Sequence, residues 1–249
     1  MQDVSEKSIL INKVAHILKA NHTAYSFLDK LEIENISQLN EDIQDALFGD
    51  QSEHWKKVAK VVKYFPNYMS AKISEQALGA YITANVCYHI ETNDLAGIAK
   101  HLSVPFLAEV TEIIIPSKSS RIVNEMPISI MQKIIYYLLE HNQHFVVASF
   151  IEIVHRKRLL QLIESIPKES DLIKCSEYIR NSEILKDIFL NFSSVRQMKI
   201  IDASIQLNKE AIIVRTLQFM GDREKTDILN QFTRHHPKIA EAFIQKVNS

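Results

Sequence analysis

Along residues 94–166 one pattern of apolar positions is written three times. Ile98, Ile122 and Val146 lie 24 residues apart, as do Leu102, Met126 and Phe150. A second set follows each: Phe106 and Leu107, Ile130 and Met131, then Leu159 and Leu160. Val110, Ile134 and Ile163 complete the register, the last copy carrying a five-residue insertion before His155–Leu160. Each copy reads as a short helix, a break and a second helix, with breaks near Ser103-Val104-Pro105 and at Pro127. One such hairpin cannot bury its own apolar face, so neighbours must stack to close a core. The predicted class is all-α, a superhelical stack of helical hairpins.

Helical spacing extends to both sides of the repeats. Ile9, Leu10, Val14, Ile17 and Leu18 form a stripe within residues 5–20, capped by Ser5 or Ser8. A short amphipathic piece surrounds Tyr25, Phe27, Leu28 and Leu31. Ser37 starts a helix that Gly49 ends at the C′ position. Ser52 and Glu53 open the next, with Trp55, Val58, Val61 and Val62 as its stripe. Pro66 breaks the chain, because Phe65 before it is pushed out of αR geometry. A helix through Met69, Ile73, Ala77 and Leu78 ends at Gly79. Tyr81–Ile90, apolar nearly all round, reads as a central buried helix.

Beyond the repeats, Leu172, Ile173, Tyr178 and Ile179, then Ile184, Leu185 and Ile188, read as a worn fourth copy. A further pair through Ile200, Ile201, Ile205, Leu217 and Phe219 closes at Gly221. Two last helices break at His236-Pro237. No Pro-rich or Gly/Ser-rich linker interrupts the chain. Residues 1–249 therefore read as one domain, a helical cap over 1–50 and a superhelix over 51–249, with Asp50–Ser52 the single weak seam.

Composition narrows the class. Four glycines and six prolines in 249 residues are too few for an all-β or Rossmann-type fold, which needs more turn glycines. With 29 basic and 30 acidic side chains, no global footprint for nucleic acid or an anionic membrane is present. Cys87 and Cys175 are far apart and unpatterned, which suits buried thiols in a reducing cytoplasm. The first residues lack the apolar core of a signal peptide. The longest uncharged run, Gln76–Ile90, is shorter than the ~20 residues of a membrane span.

The run AYITANVCYHI from Ala80, followed from Leu95 by LAGIAKHLSVPFLAEVTEIIIPSKSSRIVNEMP, resembles the intracellular N-terminal domain of MgtE-type magnesium channels. The middle domain of the flagellar rotor protein FliG belongs to the same superfamily. Leu102-Ser103 through Leu107-Ala108 to Pro116 follows that family's short repeat, and the likeness covers about residues 65–167. It resembles stand-alone bacterial relatives that keep the superhelix without a channel or CBS domains. Ile115 stands where the channel domain commonly carries an acidic residue. The resemblance thus implies the fold and leaves ion sensing open.

Few residues suggest chemistry. His141-Asn142-Gln143-His144 has metal-compatible spacing but lacks the third and fourth ligands a site needs. His155-Arg156-Lys157-Arg158 is the one dense basic cluster; Arg156, Lys157 and Arg158 are candidates for an acidic partner, against a solvated face neutralised by Glu152 and Glu164. Glu109 and Glu112 read as a solvated repeat face. Cys87 reads as inert core, and no nucleophile, zinc or phosphate-loop motif is present. Tyr64, Phe65, Tyr68, Tyr81 and Tyr88 either plug the end of the stack or line a partner groove; the plug is the expected role.

These readings predict a non-enzymatic cytoplasmic interaction or scaffolding module that holds no cofactor or metal. Its expected partner is another protein or a second copy in a homodimer, with no nucleic acid and no membrane insertion. The alternative is a regulator that senses a divalent ion or an apolar metabolite. An enzyme would need several of His89, His101, His141 and His144 to meet in one pocket.

Overall fold

The computed structural model describes residues 6–18, 20–48 and 52–248. Among them no strand is present, and 78% of the chain is helical. The protein is all-α. The chain divides into two compact units, Met1–His141 and Asn142–Ser249. The division therefore falls inside the stretch of hairpins. Asp50 and Gln51, at the expected seam, lie outside the described residues, as do Ser5 and Gly49.

The first unit opens with α1 (Glu6–Ile17), a 3-10 stretch His22–Lys30 and α2 (Ile33–Phe48). Leu10, Ile11, Val14, Leu28 and Ile36 form a small core among these three, joined by Tyr25, Ile33, Leu39 and Ile43. Ser8 lies inside α1 rather than capping it, and α2 begins four residues before Ser37. Leu18, Phe27 and Leu31 remain exposed.

There follow α3 (Ser52–Val62), α4 (Asn67–Ile73), a π turn Ser74–Leu78 and α5 (Gly79–Cys87). Pro66 stands at the N-cap of α4, where its missing N–H costs nothing. Gly79 takes φ 75 and ψ 171, a region that is almost exclusively glycine's. Ala80, Thr83, Ala84, Asn85, Val86 and Cys87 make α5 the buried helix its composition predicts.

The unit closes with α6 (Thr92–Ala99), α7 (Val104–Ile113), α8 (Ser120–Glu125) and α9 (Ile128–Glu140). Ser103 caps α7, its Oγ accepting from Phe106 N–H, with proline in the first turn. Pro127 holds the N-cap of α9. Both expected breaks are helix starts.

The second unit contains α10 (His144–Ile151), α11 (Arg156–Glu164), α12 (Glu169–Ser176) and α13 (Ser182–Asn191). It ends with α14 (Ser194–Gln206), α15 (Glu210–Gln218), α16 (Asp222–His235) and α17 (Ala240–Asn248). Asn142, before α10, takes a left-handed φ of 60, which asparagine tolerates better than most residues. Gly221 does not end a helix: at φ −67 it caps α16, and its N–H donates to Glu224 Oε2 at 3.1 Å.

Within each unit a helix packs chiefly on the helix after next. α3 meets α5, α5 meets α7 and α7 meets α9, while α4 meets α6 and α6 meets α8. In the second unit α10, α12, α14 and α16 form one such series and α11, α13, α15 and α17 the other. This is the packing that consecutive hairpins make when each buries its apolar side on the next. Ile98, Ile122, Val146, Met126, Phe150, Phe106, Leu107, Ile130, Met131, Leu159, Val110 and Ile163 are all buried. Leu102, Ile134 and Leu160 are half-buried.

Candidate functional site

The aromatic stretch before the repeats separates into two environments. Tyr64 is 86% exposed, Tyr68 59%, Tyr81 46% and Phe65 39%. They do not plug a stack. The local sequence explains why: α3 spends its apolar side inward through Ala59, with Trp55, Val58 and Val62 half-buried. Val61, Tyr64 and the start of α4 are then left on the outer side. Met69 and Ile73, one turn apart on α4, are exposed as well. Aromatic content had pointed to a core, yet helical phase decides burial, and the turn at Pro66 resets that phase.

Tyr88 belongs to the interior. Its Oη accepts a 2.6 Å hydrogen bond from the Ile115 N–H, and burial pushes its pKa up to about 12. Ile115 itself is buried. Arg121, at the start of α8, donates to Thr92 Oγ1 at 2.8 Å and to the Ile90 carbonyl at 2.9 Å. It thereby satisfies a carbonyl left open just after α5.

The same device recurs in the second unit. Arg196 at the start of α14 donates to the Glu164 carbonyl at 2.8 Å and to the Ile166 carbonyl, and lies 4.4 Å over the Phe192 ring. Arg215 donates to the Ile179 carbonyl at 3.1 Å. Sequence reasoning missed all three. The available signal was an arginine set about 30 residues after an uncapped hairpin end, at Ile90–Arg121 and Ile166–Arg196.

The basic cluster of α11 is not one patch. Arg156 pairs with Asp187 of α13 at 3.0 Å, Lys157 is exposed, and Arg158 is half-buried. The carboxylate facing Arg156 therefore comes from the neighbouring hairpin, not from Glu152. Glu152 Oε1 instead accepts from the backbone N–H groups of Arg180 and Asn181 at 2.9 and 3.2 Å.

His141 ends α9 and stacks on Tyr137 with ring centroids 4.0 Å apart. His144 opens α10, is buried, and places Nε2 3.0 Å from Asp171 Oδ1 in the first turn of α12. Each histidine is thus used within its own unit. Among the described residues no three His, Cys, Asp or Glu side chains gather as a metal site would need. His89 is half-buried and held below the ordinary histidine value, by burial first and then by Lys56. Cys87 and Cys175 are free, buried thiols, each pushed up to about 12 by burial.

The second unit holds a partly open apolar pocket of about 40 Å³, lined among others by Ile163, Ile173, Cys175, Ile188, Phe189 and Ile213. Its two hydroxyls, Ser176 and Thr216, bond back to the Leu172 and Ile212 carbonyls of their own helices. For scale, a cavity of about 150 Å³ admits benzene. This one is far smaller and its lining is mostly apolar.

The class defined is thus an all-α protein of stacked hairpins with an exposed aromatic face on its first unit. No protein family, curated protein or solved structure matches the chain. No helix among the described residues is long and apolar enough to cross a membrane.

Proposed function

We propose that the chain is a non-enzymatic, cytoplasmic protein-interaction module, a helical-repeat superhelix that engages a protein partner. The observation that carries this reading is the exposure of Tyr64, Tyr68, Tyr81 and Val61 on the first unit. Tyrosine is enriched among residues that dominate interface energies. Packing of each helix on the helix after next supports the superhelix, and the residues resembling the MgtE N-terminal domain support the same architecture. The basic residues Arg156 and Lys157 are secondary candidates, Arg156 being already shared with Asp187.

A photo-crosslinking amino acid at position 64, in the native host, tests the reading. A discrete protein adduct that disappears when Tyr68 is changed to serine supports it. A chain that yields no such adduct, while divalent ions or lipids raise its melting temperature, overturns it in favour of a ligand sensor.

A further inference from the structure

The stretch that carries the exposed aromatics is rich in lysine. Across residues 52–73 five lysines stand against a single carboxylate, Glu53, in a chain whose formal charge is −1. Glu53 is already engaged by Lys56 at 2.6 Å, and Lys63 lies 3.9 Å from Glu91, which leaves Lys57, Lys60 and Lys72 as the lysines the proposal uses. Lys57, Lys60 and Val61 stand at spacings of three and four, so they share one side of α3; Tyr64 follows in the turn after it, and all four are exposed. Lys72 on α4 is exposed too.

The N-terminal helices of the same unit present the complement. Residues 27–48 hold six carboxylates against one lysine. Glu34, Gln38, Glu41 and Asp42 recur at helical spacing along α2 and are exposed. Earlier in the same stretch Phe27 is 59% and Leu31 38% exposed. The most extensive contacts of α1 and α2 are with each other and with the His22–Lys30 stretch, and their small core closes among themselves. One chain therefore shows exposed apolar side chains within a lysine-rich stretch and others within a carboxylate-rich one.

We propose that the occupant of the aromatic-basic face is the acidic α2 face of a second copy of this chain. The proposal rests on the interaction reading above and specifies its partner. The two faces are complementary in both respects that matter for association: each offers large apolar side chains, and their charges are opposite. A pair in which each copy offers both faces is closed and self-complementary, as a two-fold dimer requires.

Light scattering on the eluting full-length chain, from low to high salt, tests this. The expected result is dimer mass at low salt, falling toward monomer mass as salt screens the charges. The double variants Lys57→Glu/Lys60→Glu and Glu34→Lys/Glu41→Lys should each run as monomers, because each then carries two faces of like charge. Mixed in equal amounts they should recover dimer mass, since opposite faces meet again. All four positions are exposed, so helical circular dichroism should match wild type. A wild-type chain that is monomeric at every salt overturns the proposal. So does a dimer that neither charge reversal weakens. If the chain is monomeric while a crosslinker at position 64 still captures another protein, this inference fails and the interaction reading stands.

Discussion

His144 Nε2 lies 3.0 Å from Asp171 Oδ1, and both residues are buried, so one polar contact ties the first turn of α10 to the first turn of α12. The other ring nitrogen, Nδ1, lies 3.2 Å from the Asn142 carbonyl. Removing one member of such a pair strands its partner out of water. Asp171→Ala should therefore cost about 1–3 kcal/mol in urea unfolding. His144→Leu/Asp171→Leu should cost clearly less than the two single changes summed, because nothing is left stranded. Additive losses would mean that the contact is incidental.

Tyr88→Phe deletes a single oxygen, yet that oxygen is the acceptor for the Ile115 N–H. A buried donor without a partner costs about 1–3 kcal/mol. The same substitution at Tyr64, which is 86% exposed, should change stability by less than about 0.5 kcal/mol. Equal melting curves for the two phenylalanine variants would contradict the assignment of Tyr88 to the interior.

Gly79 separates two effects that usually act together. A Cβ built there meets nothing within 4 Å, but the backbone stands at φ 75 and ψ 171. Gly79→Ala should destabilise by about 1–3 kcal/mol through the backbone alone. Gly97 is the converse case: its φ is ordinary, and an added Cβ would lie 2.2 Å from the Asn67 amide nitrogen. Gly97→Ala should gain when Asn67→Ser is introduced with it, since alanine outranks glycine in a helix by about 1 kcal/mol. Thermal melts of the two single variants and the double variant read both effects.

Alkaline pH should unfold the protein earlier than carboxylate chemistry would suggest. Cys87 and Cys175 are raised by burial from 9.0 to about 12, and Tyr88 from 10.0 to about 12. The folded chain keeps these protons where the unfolded chain has lost them. Stability is complete below about pH 9 and falls as pH rises toward 12. At pH 10.5 each thiol should cost about 2 kcal/mol, at 1.36 kcal/mol per unit. Cys87→Ala should flatten the loss between pH 8 and 10.5 in urea titrations. A disulfide-exchange reagent should find both thiols only after denaturant is added.

What could be read from the sequence was whatever periodicity controls. The breaks at Pro66, Ser103 and Pro127 are helix starts because proline and serine act on the local backbone. Burial of α5 followed from its apolar surround. Partners across hairpins were not legible, because they depend on which helices neighbour one another in space. Asp187 replaced Glu152 beside Arg156, Asp171 answered His144, and arginines closed helix ends some 30 residues upstream. The aromatic face was misjudged for a related reason. Residue type says what a core prefers, but the turn between α3 and α4 decides which side Tyr64 and Tyr68 face.

The register of the repeats is open to a direct test at Met126. The second helices of the three hairpins begin at Val104, Ile128 and Arg156, intervals of 24 and then 28 residues, so an insertion falls between the second and third. Met126 is buried at the end of α8, immediately before the Pro127 break. Truncating a buried methionine to alanine typically costs about 2–5 kcal/mol, a large share of the roughly 5–15 kcal/mol that a domain commonly has. Lys133, exposed on α9 seven residues later, should tolerate alanine within about 0.5 kcal/mol. Leu102, at the matching position of the first hairpin but only half-buried, should fall between them. The expected order of urea midpoints is therefore Lys133→Ala, then Leu102→Ala, then Met126→Ala as the lowest. An inverted order would show that the interval of 24 residues does not mark equivalent core positions.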